Sequence, residues 1–99
     1  MEVKISKKVE KTIVKLIGRV DTTNAEQFQA DLTQFMTGQQ DLEFDCSDLD
    51  YTSSQGLRVF LILQKAIAAN GGNMILKNMK PQVKEVFDIT GFSNIIKIE

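Results

Sequence analysis

Apolar and polar side chains alternate in several short stretches of the chain, which is the pattern of β-strands with one buried face. The clearest case is the stretch in which Leu42, Phe44 and Cys46 are separated by Glu43 and Asp45. Comparable alternation, or a short apolar run, occurs near both ends of the sequence. The predicted strands cover residues 3–7, 12–18, 41–46, 74–79 and 95–98.

Apolar residues at helical spacing predict three helices between these strands. The first opens with the capping-box sequence from Thr23 to Glu26 and ends at Gly38. The second begins at Ser54 or Gln55 and is apolar over more than half of its circumference, so we expect it to be the most buried helix. The predicted helices span residues 23–38, 54–70 and 81–91.

The order of these elements predicts the fold class. A strand–helix–strand unit normally forms a right-handed crossover between parallel strands, whereas two strands joined by a short turn pair antiparallel. The 99 residues suffice for one core between two layers. We therefore predict a single α/β domain over residues 1–99, with a mixed β-sheet of about five strands, an antiparallel N-terminal edge and three main helices packed on it. Residues 48–53 are interpreted as a link between the third strand and the second helix.

Charge and hydropathy argue against several kinds of partner. The chain has 12 basic and 13 acidic residues, scattered along it, and a net charge of −1. It therefore lacks the basic surface that nucleic-acid binding requires. No apolar run approaches the roughly 18 residues of a membrane span, and the charged first eleven residues lack the apolar core of a signal peptide. We expect a cytoplasmic protein with no direct nucleic-acid partner and no direct membrane insertion.

The small set of reactive side chains argues against an enzyme. There is no histidine, which excludes a Ser-His-Asp triad and an imidazole ligand for zinc. Cys46 is the only cysteine, so neither an internal disulfide nor a multi-thiolate metal site can form. No lysine follows a serine at SxxK spacing, and no P-loop motif is present. We predict no catalytic residue, no metal and no cofactor.

The most informative segment is the serine pair Ser53-Ser54, followed by Gln55 and Gly56, at the predicted junction between a strand and a helix. One interpretation is that a serine caps the helix by accepting a backbone hydrogen bond. A cap explains one serine better than it explains the rest of the segment. The other interpretation is that a hydroxyl is exposed at the positive end of the helix dipole, where a phosphoryl group would be tolerated. The local sequence is compatible with both.

The segment YTSSQGLRVFL, from Tyr51 to Leu61, resembles the signature of STAS domains, and in particular of bacterial anti-sigma factor antagonists. Shorter pieces at the family's spacing occur over essentially the whole chain. The resemblance implies a partner-switching cycle in which the unphosphorylated antagonist binds an anti-sigma factor with serine kinase activity and frees a sigma factor. Phosphorylation by that kinase ends the interaction, and a PP2C-type phosphatase reverses it. The shorter pieces are Gly18 to Asp21, Asp45 to Ser47, Gly71-Gly72, Lys77 to Pro81 and Thr90 to Phe92.

Matched residue by residue, the resemblance implies that Ser54 accepts the phosphate. Asp21 and Asp45 match acidic positions near the acceptor in the family, although both could equally be turn or capping residues. Arg58 could equally be a solvated helix residue. Many members have Asp immediately before the acceptor, whereas this chain has Ser53. The implied partner-binding residues are Asp21, Thr23, Ser53, Ser54, Gln55, Gly56 and Arg58.

A second functional class is compatible with the same resemblance. A STAS domain can be a non-switching scaffold subunit of a transport or membrane-lipid system, and it would then need a separate membrane partner. An enzyme ranks last, because a serine nucleophile needs a base and no histidine is present. Phosphorylation of Ser54 in the cell would support the switching function over the scaffold.

Overall fold

Five strands and three helices follow one another in the predicted order. The computed structural model describes residues 1–99. The strands are β1 (Glu2–Lys7), β2 (Thr12–Val20), β3 (Asp41–Thr52), β4 (Asn73–Lys77) and β5 (Lys97–Ile98). The helices are α1 (Ala25–Leu32), α2 (Ser54–Ala69) and α3 (Pro81–Ile89), with short 3₁₀ helices at Thr33–Phe35 and Phe92–Asn94.

The strands form one sheet in the order β1-β2-β3-β4-β5. β1 pairs antiparallel with β2, and every later neighbour is parallel. Each parallel step contains one helix, and right-handed crossovers that advance in the same direction bring all three helices to one face of the sheet. In β2, in β4 and in β3 as far as Cys46, only one set of alternating residues is fully buried, as a two-layer fold requires. The predicted mixed α/β fold is confirmed.

The core between the sheet and the helices centres on Phe60 of α2. Its ring packs at centroid distances of 5.2 Å from Phe28 of α1, 5.7 Å from Phe44 of β3 and 5.7 Å from Phe87 of α3. α2 has six buried positions among 16 residues, the same fraction as the three among eight in α1, so the prediction that it is the most buried helix holds only against α3. This packing holds α2, whose N-terminus carries the serine pair, against the sheet and against both other helices.

The predicted capping box at the start of α1 is wrong. The N-cap is Asn24, and no side chain caps the helix. The Thr23 hydroxyl donates to the carboxylate of Asp21, while the Asn24 side chain accepts from the Asp21 N–H at 2.9 Å and donates to the Arg19 carbonyl at 2.8 Å. These side chains therefore hold the preceding turn, in which the Thr23 hydroxyl is directed back to Asp21 and not toward the N–H groups of the helix.

β3 is longer than predicted, and residues 48–53 are not a link. The strand continues to Thr52 because β2 pairs with it across two register shifts, between Lys15 and Ile17 and between Gly18 and Arg19. Such bulges let a strand continue after the simple alternation of its sequence has broken down. The other strand ends are shifted as well: β4 ends at Lys77, before Asn78 with its φ of 61°, and β5 is limited to Lys97–Ile98.

The face of the sheet opposite the helices carries ion pairs, and Glu43 is at their centre. Its Oε1 lies 2.9 Å from the Nζ of Lys11 and 3.2 Å from the Nζ of Lys77. The hydrogen bonds from Lys11 and then Lys77 lower the pKa of Glu43 below its ordinary value, and the pKa of Lys77 is raised by the same contact. The ionised form of Glu43 is therefore favoured in the folded chain.

Glu43→Gln is expected to make the free energy of unfolding less dependent on pH in the acidic range. A carboxyl whose pKa is lower in the folded than in the unfolded chain stabilises the fold above its unfolded pKa, and that contribution disappears as the pH falls through the folded pKa. The free energy of unfolding should therefore fall between about pH 5 and about pH 3, and less steeply in the variant. Urea unfolding across this range measures the slopes, with Glu85→Gln as a control at an exposed residue without an ion pair. Equal slopes for wild type and Glu43→Gln would contradict the assignment.

Candidate functional site

The serine pair lies where β3 ends and α2 begins, beside the end of the parallel strand β2. The Ser53 N–H donates to the carbonyl of Val20 at 2.8 Å, which ties the two strand ends together. Ser53 is buried, and its Oγ accepts from the N–H of Gly56 at 3.2 Å. Ser53 is therefore the N-cap of α2 and uses its hydroxyl within the fold.

Ser54 is the first residue of α2 and is exposed. Its hydroxyl makes no hydrogen bond with any other side chain or with the backbone. Each of the two interpretations that the local sequence left open therefore applies to one serine. Ser53 is the cap, and Ser54 presents a free hydroxyl at the positive end of the helix dipole. Arg58 lies four positions further along, on the same face of the helix, and is also exposed.

Gly56 faces inward, because side chains pack where its Cβ would be. A Cβ at this position would overlap the Thr52 hydroxyl and lie 2.8 Å from Cγ1 of Val20. The absence of a side chain therefore brings the first turn of α2 close to the ends of β2 and β3. Ser53 and Gly56, which the resemblance implied as partner-binding residues, are both buried and support the exposed first turn of α2.

The turn after β2 forms the second part of the surface. The Asp21 carboxylate accepts from the Thr23 side chain and from the Thr23 N–H at 2.9 Å, and these bonds, with the Thr23 side chain first, lower the pKa of Asp21. The Arg19 side chain lies 3.6 Å from Asp21 and 4.6 Å from the ring centroid of Tyr51. Thr23 is exposed in this turn. Asp21 directly follows β2, whose last residue pairs with the last residue of β3, so the turn and Ser54 lie at the same end of the sheet.

The structure does not bring Asp45 to this surface. Asp45 lies within β3, and the rise of about 3.3 Å per residue to Thr52 separates it from Ser54 by roughly 20 Å. Burial raises the pKa of Asp45, but hydrogen bonds from Ser47 and Asn78 outweigh that effect and leave the pKa below its usual value. Its proximity to the serine was implied only by the family resemblance, and β3 continues for seven residues beyond Asp45.

Cys46 is buried, and burial, followed by the charge of Asp45, raises the pKa of its thiol to about 12. A thiol with so high a pKa is not a nucleophile at neutral pH.

No helix of the chain is long and apolar enough to cross a membrane.

Arg19 and Tyr51 are surface residues that the sequence offered only as parts of the segments resembling the family, and not as candidate site residues. They meet across β2 and β3, where Arg19 pairs in register with Tyr51. Only the shifted register after Gly18 brings them opposite each other, so the strand pattern alone contained no signal for this contact.

The comparisons with known proteins agree with this geometry. The family model for the STAS domain matches residues 1–99. The chain belongs to the STAS domain family. The resemblance carried by the segment around Ser54 is thereby confirmed at the level of the family.

Relatives of this STAS domain have names that refer to one regulatory role. It is 42% identical over 84 residues to BtrV of Bordetella bronchiseptica, which is named as an anti-sigma factor antagonist; the match covers 84% of this chain and 72% of BtrV. It is 32% identical over 85 residues to the anti-sigma-B factor antagonist of Bacillus subtilis, covering 86% and 78%. The Bacillus cell fate determinant SpoIIAA in its phosphorylated form has the same fold, with a TM-score of 0.73, 19% identity and coverage of 99% and 91%.

Proposed function

We propose that this STAS domain is an anti-sigma factor antagonist whose unphosphorylated form binds an anti-sigma factor with serine kinase activity and so frees a sigma factor. Phosphorylation of Ser54 switches this binding off, and a PP2C-type phosphatase restores it. The observation that carries the proposal is that the two serines have different roles: Ser53 caps α2, while Ser54 is exposed and its hydroxyl makes no hydrogen bond within the chain. The names of the two relatives support the same role.

The switch acts through charge at an otherwise unchanged surface. A phosphoserine carries roughly −1.5 to −2 charge at neutral pH, and it must be desolvated if it lies within an interface. At the first position of α2 the phosphate would meet the N-terminal end of the helix dipole, which tolerates negative charge. Binding would therefore weaken while the fold of the domain stays as it is.

Ser53 in place of the more usual Asp is compatible with this mechanism. Either residue type can cap a helix, so the geometry that presents Ser54 does not depend on a carboxylate. The proposed contact surface comprises Ser54 and Gln55 with Arg58 one turn further along, and Asp21 with Thr23 beside them.

Two alanine variants separate the roles of the serines. Ser54→Ala should abolish incorporation of phosphate by the anti-sigma factor kinase and leave the free energy of unfolding within about 0.5 kcal/mol of wild type. Ser53→Ala should still accept phosphate at Ser54, but loss of the cap should lower the free energy of unfolding by about 1 kcal/mol. Intact-mass and peptide mass spectrometry measure the first property, and urea unfolding measures the second.

The same spectra should be recorded on protein recovered from its native cells under growth and under stress. Phosphate on Ser54 in wild type, absent from Ser54→Ala, is the expected result. Absence of phosphate from Ser54 under every condition, together with no transfer from the kinase in vitro, would overturn the switch and favour the non-switching scaffold.

A further inference from the structure

A groove between α1 and α2 opens beside Ser54. Its volume is about 200 Å³, and it is lined by Ala25, Glu26, Gln29, Gln55, Arg58 and Val59. Ala25 and Val59 are buried and provide apolar surface within it. Gln55 directly follows Ser54, so the groove is continuous with the surface that we propose as the binding site for the anti-sigma factor.

The polar side chains of this groove have no partner within the chain. Glu26 and Arg58 lie on neighbouring helices, yet neither forms an ion pair. Gln29 and Gln55 make no side-chain hydrogen bond, in contrast to Gln27, which donates to Asp31 at 2.8 Å. The groove thus presents one unpaired cation and one unpaired anion around an apolar centre.

The second cavity of the domain lies away from Ser54. It measures about 290 Å³ and is lined by residues 8–12 and 39–41, at the other end of the parallel strands. Lys11 is paired there with Glu43, and the side chains of Gln39 and Gln40 donate to backbone carbonyls. Lys8 and Glu10 in its lining form no ion pair either, so what distinguishes the α1–α2 groove is its position beside Ser54.

We propose that the α1–α2 groove is a specificity contact for the anti-sigma factor. Its occupant is a segment of that factor carrying an acidic side chain that pairs with Arg58 and a basic side chain that pairs with Glu26. This inference rests on the proposed function and adds to it the residues that select the partner.

The positions of the two charges determine the orientation in which a charged segment can bind in the groove. A segment with its carboxylate toward α2 and its cation toward α1 is complementary, while the reversed arrangement brings like charges together. Such repulsion is how interfaces reject related but incorrect partners. The apolar surface of Ala25 and Val59 accommodates the aliphatic stems of the partner's side chains.

Charge reversal in the full chain tests the proposal, with the kinase that phosphorylates Ser54 as the probe. Arg58→Glu and Glu26→Lys should each raise the Kd measured by isothermal titration calorimetry by on the order of tenfold. Lys65→Glu on α2 and Glu85→Lys on α3 make the same charge changes at exposed residues outside the groove, and should stay within about twofold of wild type. Far-UV circular dichroism and thermal unfolding check that every variant is folded.

The outcomes separate this inference from the function on which it rests. If wild type fails to bind the kinase, the proposed function is wrong and the inference falls with it. If wild type binds and the groove variants bind within about twofold of it, the function stands and the groove is not the specificity contact. If Arg58→Glu weakens binding, acidic residues of the kinase can be changed to lysine one at a time. A change that restores the affinity for Arg58→Glu would identify the partner of Arg58 directly. If none of these changes restores the affinity, the assignment of an acidic partner is wrong.

Discussion

Replacing Phe60 with alanine is expected to lower the free energy of unfolding by about 4 kcal/mol. Phe60 is fully buried, and its ring contacts phenylalanine rings from α1, β3 and α3. Alanine would remove the apolar surface of the ring and leave a cavity that three separate elements would have to close together. Since domains of this kind are stable by only about 5–15 kcal/mol, the loss is a large fraction of the total.

Phe60→Leu provides the matched comparison for this prediction. Leucine fills most of the same volume, so its cost should be below about 2 kcal/mol. Urea unfolding of the three proteins at neutral pH gives the free energies, and unchanged denaturant slopes would support two-state behaviour. Equal losses for alanine and leucine would show that the cost comes from the aromatic contacts and not from the cavity.

Replacing Ser54 with glutamate is expected to weaken binding to the anti-sigma factor by on the order of 100-fold. The carboxylate would take the place of the phosphate at the first position of α2, inside the proposed interface, and would have to be desolvated there. The free energy of unfolding should not fall, because a negative charge at a helix N-terminus is favourable by about 0.3–1 kcal/mol.

Ser54→Gln separates charge from size in this experiment. Glutamine has nearly the same shape as glutamate but no charge, so its effect on Kd should be at least about tenfold smaller. Isothermal titration calorimetry against the anti-sigma factor gives both affinities. If glutamine weakens binding as much as glutamate does, steric exclusion and not charge operates the switch, and the mechanism proposed for phosphorylation is wrong.

Much of the fold could be predicted because it follows from local pattern. The alternation of Leu42, Phe44 and Cys46 shows which side of β3 is buried, and the wide apolar face of α2 shows that this helix is central. Chirality and short connections then leave few ways to assemble the elements, so their order was sufficient to predict a mixed sheet with an antiparallel edge.

The errors lie where side-chain hydrogen bonds or strand pairing decide a residue's role against the local sequence pattern. Thr23 and Glu26 have the spacing of a capping box, but the Thr23 hydroxyl donates to Asp21 in the turn before the helix and does not cap it. β3 continues beyond Cys46 because β2 follows it through two bulges, and this extension leaves Asp45 far from Ser54. Neither the direction of a side-chain hydrogen bond nor a shifted register is visible in the periodicity of a single segment.

The sequence by itself determined the order of the elements, the position of the serine pair at the start of α2 and the resemblance to the STAS family. Only the tertiary structure decided which serine is free: Ser53 turns inward because its N–H bonds to Val20 of the neighbouring strand and its hydroxyl caps Gly56, and Ser54 is thereby left exposed. Likewise, Glu26 and Arg58 are far apart in the chain, and the packing of α1 against α2 brings them to one groove. Local interactions specify elements, whereas exposure and proximity result from packing between elements that are distant in sequence.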